Sequence, residues 1–459
     1  MRAERFDVVV IGGGGTGSEI AFQLADRSEL RVAIAERDRL GGECNHYGCV
    51  PTKVMLKSAK VAATARDGER FGVRVPGPVA VDLPAVRDRV RRVIDEQSGA
   101  GAAPFLERGV EVFLQEIRLT GPHDLELADG TAIHADRIVL ATGTEASLPP
   151  VPGLADGPYW TNREAIWQPD AAPARLVVIG AGAIGVEFSQ IFARFGSAVT
   201  LVEIAPHILP NEDAEAAAAL LPALEADGID VRAGVRIDRA EHRDGAWSVA
   251  LVGDEVLTAD EVLVATGRRP VFDGHDLEAA GIDLLPDGRP VLDETLRSTA
   301  DNVWAAGDAT GELLFTHVGT YEAELVVDDI LGIPRPRSYR VVPRVTFCDP
   351  EVASVGLTER QAADDGHALV TSVSSIADNE RAHIEGELFG LVKLVADADT
   401  GELLGGHVVG EAAGAMIHEI AVAMVGHVPV AAVAGAIHAY PTLSESVKGA
   451  FVGLAERLG

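Results

Sequence analysis

Cysteine is scarce, with three residues in a chain of 459, too few to staple a disulfide scaffold. Basic residues are outnumbered: 39 Lys and Arg stand against 70 Asp and Glu, a formal charge of −31. A surface of that sign repels nucleic acid and anionic lipid head groups, so neither a nucleic acid nor a membrane is expected as a partner. Long apolar runs are also missing. After MRAERFD the first one, Val8 to Ile11, leads straight into glycines, and no export signal is expected there. The most membrane-like window, Ile420 to Ile437, is broken by His427 and Pro429 and predicts two helix segments around a turn. The expectation is a cytoplasmic protein of about three domains, with room for real hydrophobic cores. In that reducing compartment two cysteines five apart, Cys44 and Cys49, are more often redox-active or metal-binding than structural. What is plentiful is glycine: 49 residues, about 11% against a usual ~7%.

Those glycines mark an internal repeat. FDVVVIGGGGTGSEIAFQLA near residue 6 and ARLVVIGAGAIGVEFSQIFARFG near residue 174 share one strand–turn–helix pattern. Each is followed by a second apolar strand ending in an acid, Glu36 and Glu203, and each has a later strand closing on Thr-Gly, RIVLATG (137–143) and EVLVATG (261–267). Duplication of a nucleotide-binding domain accounts for all of it. Between the copies, residues 59–108 have helical spacing, and the Pro- and Gly-rich stretch 151–173 reads as a linker. From about Pro343 strand runs (RVTFC, ASVGL, GLVKLVAD, LLGGHVVG) precede helical ones, predicting a separate α+β domain.

The turn Gly12-x-Gly14-x-x-Gly17 follows a strand, opens a helix and has an acid about twenty residues on. Such glycines let the backbone approach a pyrophosphate, the helix N-terminus offers N–H groups, and Glu36 can accept from a ribose 2′-OH. Gly180-x-Gly182-x-x-Gly185 with Glu203 repeats the arrangement, so two dinucleotides are expected, with hydride passing between them. At the second site the following IAPHILP carries no Arg to offset a 2′-phosphate, which favours NAD(H) over NADP(H). In GGECNHYGCVPTK (41–53) two thiols sit at the start of a helix, where the dipole favours a thiolate and a disulfide can close across one turn. A zinc site needs two more soft ligands, and only Cys348 remains, itself read as a small core residue; no metal is expected.

With ATGRRP (265–270), NVWAAGDAT (302–310), PRVTFCDPEVASVGLTE (343–359), DTGELLGGHVVG (399–410) and HAYPTLSE (438–445), the whole chain resembles the class I pyridine nucleotide–disulfide oxidoreductases. These flavoenzymes include lipoamide dehydrogenase, glutathione reductase and mercuric ion reductase. The resemblance implies α/β architecture: two doubly wound, Rossmann-like domains binding FAD and NAD(H), plus a C-terminal α+β domain that builds a homodimer. It places the FAD domain at 1–150 and 270–338, the NAD(H) domain at 151–269 and the interface domain at 339–459. It makes Cys49 the thiol beside the flavin and Cys44 the thiol that exchanges with substrate. Lys53 is implied near the flavin N5, paired with Glu187, where a cation stabilises reduced flavin. Asp308 is implied on the ribityl chain, and Thr142, Gly143, Thr316 and Gly267 among the cofactor contacts.

One position departs from the pattern. Disulfide-reducing members carry a histidine before the Pro-Thr of the last motif, oriented by a glutamate five residues later; here that residue is Tyr440, with Glu445 retained and His438 two residues upstream. A phenol of pKa near 10 can donate a proton but is a poor base at neutral pH. Three readings stay open. Tyr440 acts as donor and gate, as resembles mercuric ion reductase, although that enzyme's C-terminal cysteine pair has no counterpart in SVKGAFVGLAERLG; another soft metal ion or a quinone then becomes a candidate acceptor. His438, which shares a face with position 440 on an extended segment, serves as base. Or the substrate is a specialised disulfide with an acidic leaving thiol. His46, where the family commonly has asparagine, either tunes a thiolate or is a packed helix residue. The resemblance also implies a cis Tyr440–Pro441 bond. The activity expected is a dihydrolipoamide dehydrogenase-like transfer from NADH through FAD and the Cys44–Cys49 disulfide to a small acceptor. A thiol-independent diaphorase or transhydrogenase is the competing enzyme activity.

Overall fold

Alternation along Val8–Ile11 decides how the first sheet is buried: Val8 and Val10 pack with Ile20 and Leu24 of the helix Gly15–Arg27, whereas Val9 and Ile11 pack with Ile138 and Leu140 on the other face. The computed structural model describes residues 3–99 and 101–459. The strand Glu4–Ile11 runs parallel to Val32–Ala35 on one side and to Ala132–Leu140 on the other, within a seven-stranded sheet. The order is Glu111–Phe113, Val32–Ala35, Glu4–Ile11, Ala132–Leu140, Asp124–Leu127, Ile117–Leu119, with Val303–Ala305 also pairing to Ala132–Leu140. Helices lie over strands that are buried on both faces, which is the doubly wound arrangement the repeat predicts.

This sheet belongs to a compact unit built from three stretches, 1–54, 88–147 and 268–338. Thr144–Ala146 and Arg268–Pro270, where the chain leaves and re-enters the unit, form a two-stranded antiparallel ribbon.

The second unit comprises 55–87, 148–267 and 339–459. It holds a four-stranded parallel sheet (Asp230–Arg232, Ala198–Val202, Arg175–Ile179, Glu261–Val264) and a three-stranded antiparallel one (Ile237–Arg243, Ala246–Leu251, Val256–Ala259). It also holds a five-stranded antiparallel sheet, Arg344–Thr346, Glu351–Gly356, Leu403–Gly410, Leu391–Asp397, Leu369–Ser375. Ile417, Ile420 and Met424 of the helix Ala413–Val425, and Val447, Phe451 and Leu454 of Ser444–Leu458, pack with Val392, Leu394 and Val408 of that sheet. Beneath it Lys393 is buried against Asp213 at 3.0 Å and Glu359 at 2.6 Å. His407, fully buried, meets the Ser354 hydroxyl at 3.0 Å and the Leu357 carbonyl at 3.2 Å.

The α/β class with its C-terminal α+β sheet is the architecture observed. The window 420–437 does split into two helices, Ala413–Val425 and Val430–Ala434, with Pro429 capping the second. Two local readings need correction. The 151–173 stretch is more than a linker: it contains a 3-10 turn, Leu154–Asp156, and a helix, Asn162–Trp167, started by a capping box of Thr161 and Glu164. The two thiols, expected on one helix, lie on two: Cys44 within Gly42–His46, and Cys49 opening Cys49–Arg66 after a break at Tyr47 and Gly48. Among the described residues no helix is long and apolar enough to cross a membrane.

Candidate active site

The first glycine turn is closed backbone against backbone. Gly12 has φ +106°, and a Cβ there would stand 2.2 Å from the Ala141 carbonyl oxygen; one on Gly17 would stand 1.9 Å from the Gly12 carbonyl oxygen. Gly14, by contrast, faces open space, with no atom within 4 Å of where its Cβ would be. The helix Gly15–Arg27 starts there without a side-chain cap, so its first N–H groups are left for an incoming anion. Glu36 accepts from the Gly13 N–H and the Asp38 N–H, each at 2.7 Å, and locks the turn to the end of the next strand while keeping acceptor capacity on both oxygens.

The second turn repeats this almost atom for atom. A Cβ on Gly185 would stand 1.8 Å from the Gly180 carbonyl oxygen, Gly182 is open, and the helix Ala183–Phe195 has no side-chain cap. Glu203 accepts from the Ala181 and Ala205 N–H groups, each at 2.7 Å. Gly143 and Gly267, which end the matching Thr-Gly strands, both have positive φ, +69° and +108°.

A cavity of about 100 Å³ opens beside the first turn, lined by Ile11, Gly12, Glu36, Thr142, Val271 and His275 among others. Into this region the sequence brings a buried hydroxyl, Thr142 Oγ1, that has no hydrogen-bond partner among the described residues. An open cradle, free helix N–H groups, an acid at the strand end and an orphaned hydroxyl together fit a dinucleotide such as FAD. Asp308, in the 3-10 turn Gly307–Thr310, accepts from the Thr144 hydroxyl at 2.9 Å, and burial pushes its carboxyl upward.

Cys44 and Cys49 are free thiols hydrogen-bonded to one another. Thr316, the first residue of the helix Thr316–Ile330, sets its hydroxyl 3.3 Å from Cys44 Sγ and 3.6 Å from Cys49 Sγ, so its one proton serves whichever sulfur is charged. The pair divides its roles. The hydrogen bond from Cys44, with those from Thr316 and the charge of Lys53 one turn on, lowers Cys49 to about 6, whereas the bond to Cys49 and burial raise Cys44. The first proton therefore leaves Cys49, at the N-terminus of an 18-residue helix. His46 spends its Nε2 on the Leu40 carbonyl at 2.9 Å.

The first unit thus gathers Gly12, Gly14, Gly17, Glu36, Cys44, Cys49, Lys53, Thr142, Gly143, Asp308 and Thr316; the second carries the other expected residues. Within the second, Glu187 is buried and accepts from the Phe347 N–H at 2.9 Å. The Tyr440–Pro441 bond is cis, as expected, and so is Asp349–Pro350, which carried no signal in the sequence. Tyr440 is 71% exposed, and its phenol is bonded to Glu380, which with Glu445 pushes its pKa up. Glu445 accepts from the Thr442 N–H at 3.1 Å. His438 Nε2 meets Glu419 at 2.8 Å and Nδ1 meets the Ala436 carbonyl at 3.3 Å. Glu380 and Glu419, which engage Tyr440 and His438, were not foreseen; no motif marks them. Among the described residues no group of three or more His, Cys, Asp or Glu could hold a metal ion.

Residues 6–323 match the pyridine nucleotide-disulphide oxidoreductase family, and residues 342–451 match its dimerisation domain. The chain belongs to this family. It is 38% identical to a dihydrolipoyl dehydrogenase of Chlorobaculum tepidum across 100% of this chain and 98% of that one. It is 32% identical to a mercuric reductase of Bacillus cereus, covering 96% of this chain and 70% of that one. Among solved structures it is similar to the Cu(II) complex of RclA, an HOCl-induced flavoprotein disulfide reductase of Escherichia coli, with TM-score 0.86 and 28% identity over 97% of this chain and 99% of that one. It is equally similar to LpdA of Mycobacterium tuberculosis, TM-score 0.87 and 28% identity over 98% and 99%. The pyridine nucleotide-disulphide oxidoreductases of this type use FAD and NAD(H), and these are the cofactors of this oxidoreductase. The dimerisation domain supports a homodimer.

Proposed function

We propose that this flavin disulfide oxidoreductase passes electrons from NADH to the Cys44–Cys49 pair and from Cys44 to a small acceptor, with a lipoamide-like disulfide as the leading candidate. The observation that carries the reading is the shared contact of both thiols with Thr316 Oγ1 and with each other, beside the Lys53 charge. Bound at the first turn, FAD would supply the two-electron link between nicotinamide and disulfide. The protein's part is to hold charge and protons. Cys49 keeps a thiolate, and Cys44 stays protonated until it is needed. Gly12, Gly14, Gly17, Glu36, Thr142, Gly143, Asp308 and Thr316 would hold FAD, and Gly180, Gly182, Gly185, Glu203 and Gly267 the NADH. Lys53 would favour reduced flavin. In this reading the FAD domain is 1–150 with 270–338, the NAD(H) domain 151–269 and the interface domain 339–459, in a cytoplasmic homodimer whose partner brings the segment around Tyr440 to the exchange thiol.

A second acceptor class is favoured by one observation. The phenol of Tyr440 is bonded to Glu380 and raised in pKa, so it stays protonated at neutral pH and cannot serve as a base. An acceptor that needs no base at the thiol, such as a soft metal ion or a quinone, suits that arrangement, and relatives named mercuric reductase and a Cu(II) complex of RclA share the fold. Anaerobic NADH titration with an acceptor screen decides. A long-wavelength thiolate–flavin band and turnover with lipoamide support the leading reading; turnover only with Hg(II), Cu(II) or quinones selects the second. Full turnover by Cys44→Ser overturns both and leaves a thiol-independent diaphorase.

A further inference from the structure

Glu43 immediately precedes the exchange thiol, and its carboxylate lies 3.4 Å from Arg268 Nη2, with side-chain exposures of only 24% and 13%. Arg268 closes a fork on one residue across the ribbon. Its Nε donates to Thr144 Oγ1 at 2.9 Å and its Nη2 to the Thr144 carbonyl at 2.8 Å. Thr144 in turn donates to Asp308 Oδ2 at 2.9 Å. The direction of this chain is forced. A guanidinium can only donate, so the Thr144 oxygen must accept from it and its single proton must go to Asp308. One cation therefore stands between two carboxylates, one at the cysteine helix and one at the acid assigned to the ribityl chain. Neither Glu43 nor Arg268 belongs to the set of residues singled out from the motifs.

We propose that Arg268 is a positioning residue that ties the Cys44 helix to Asp308 through Glu43 and Thr144, so that flavin retention and exchange-thiol reactivity are set by one ion pair. The inference rests on reading Cys44 as the exchange thiol and Asp308 as a flavin contact. Its tests need no acceptor and no turnover, so they stand apart from the acceptor question. Electrostatics fixes opposite signs for the two halves of the pair. Removing Arg268 takes a positive charge from beside Glu43 and disfavours a thiolate at its neighbour; removing Glu43 takes away a negative charge and favours it.

Two measurements on the holoenzyme test this. The first is iodoacetamide alkylation after reduction, with Cys44 modification assigned from peptide fragments. The second is FAD release on dilution, followed by flavin fluorescence. Glu43→Gln should alkylate faster than wild type, by about threefold or more, and Arg268→Gln slower by a similar factor, in line with a shift of roughly half a pKa unit each way. Arg268→Gln should also weaken FAD binding about tenfold, the expected effect of losing a charged hydrogen-bond fork. Arg268→Lys separates charge from geometry: its ammonium restores the alkylation rate, but it lacks the planar fork and keeps the FAD defect. Alkylation rates that move in the same direction in Glu43→Gln and Arg268→Gln would show a packing role alone and overturn the proposal. So would FAD binding in Arg268→Gln within about twofold of wild type.

Discussion

Replacing Thr316 with valine removes one hydroxyl and little else, because the two side chains have nearly the same shape. The position is the first of its helix, so the propensity cost is a few tenths of a kcal/mol, and the Thr320 hydroxyl bond to the residue 316 carbonyl is kept. What is lost is the O–H lying 3.3 Å from Cys44 Sγ and 3.6 Å from Cys49 Sγ. A hydrogen bond to a charged group contributes about 1.5–3 kcal/mol, and the long sulfur contact argues for the lower end, about 1.5 kcal/mol. At 1.36 kcal/mol per pKa unit, the Cys49 midpoint should rise by about one unit from its value of about 6. The assay is the pH dependence of the thiolate–flavin absorbance in the reduced holoenzyme, repeated as the pH dependence of alkylation. Sign matters as much as size. A thiolate that has lost a donor titrates at higher pH, so the band of Thr316→Val should fade at pH values where wild type retains it. A midpoint unchanged within about 0.3 unit, or one that falls, would refute the assignment of Thr316 as the thiolate's partner.

The two turns make a paired prediction. Gly17→Ala sets its Cβ against the Gly12 carbonyl and should cost about 3 kcal/mol with loss of flavin, whereas Gly14→Ala meets no atom and should fold normally yet purify with little flavin; melting temperature and flavin content separate them. Glu203→Gln should raise the NADPH-to-NADH ratio of kcat/KM about tenfold by removing the charge a 2′-phosphate would face, while leaving one of the Ala181 and Ala205 N–H groups poorly paired and lowering stability by about 1 kcal/mol. Burial lowers the His407 pKa to about 4, below its unfolded value, so the unfolded chain binds more protons in the window between and stability is lost as the pH is lowered through it. Urea midpoints should show about 2 kcal/mol lost from pH 7 to pH 5 in wild type, less in His407→Gln; an equal loss in the two would remove His407 as the cause.

Much of this was legible in the sequence because its signals are local. Strand, glycine turn, helix and following acid lie within about thirty residues, and inside that stretch Gly17 and Gly185 close on the carbonyls of Gly12 and Gly180. The cysteine pair is local as well, whereas the cis bond before Pro441 was expected from the family resemblance. What the sequence could not show depends on residues far apart in the chain. Thr316 reaches sulfurs more than 260 positions away, and Arg268 joins Glu43 to Thr144, each more than 120 positions away from it. The split of the thiols over two helices was missed for another reason: residues five apart on one continuous helix point about 140° away from each other, and the break at Tyr47 and Gly48 is what lets the two sulfurs meet. The strand Leu369–Ser375 was hidden because its run LVTSVSS has only three apolar residues, and its pairing with Leu391–Asp397 supplies the rest.

The pairing of Val303–Ala305 with Ala132–Leu140 has a consequence for biosynthesis. The edge of the first sheet that it covers is made about 160 residues before its partner leaves the ribosome, an interval of roughly 8–33 s at ordinary translation speeds. During that wait the intervening stretch emerges whole, including all four parallel strands around the second turn. The nascent chain is therefore expected to complete its inserted module first, and to carry an unfinished, apolar strand edge that invites chaperone attendance until about two-thirds of the chain has been translated.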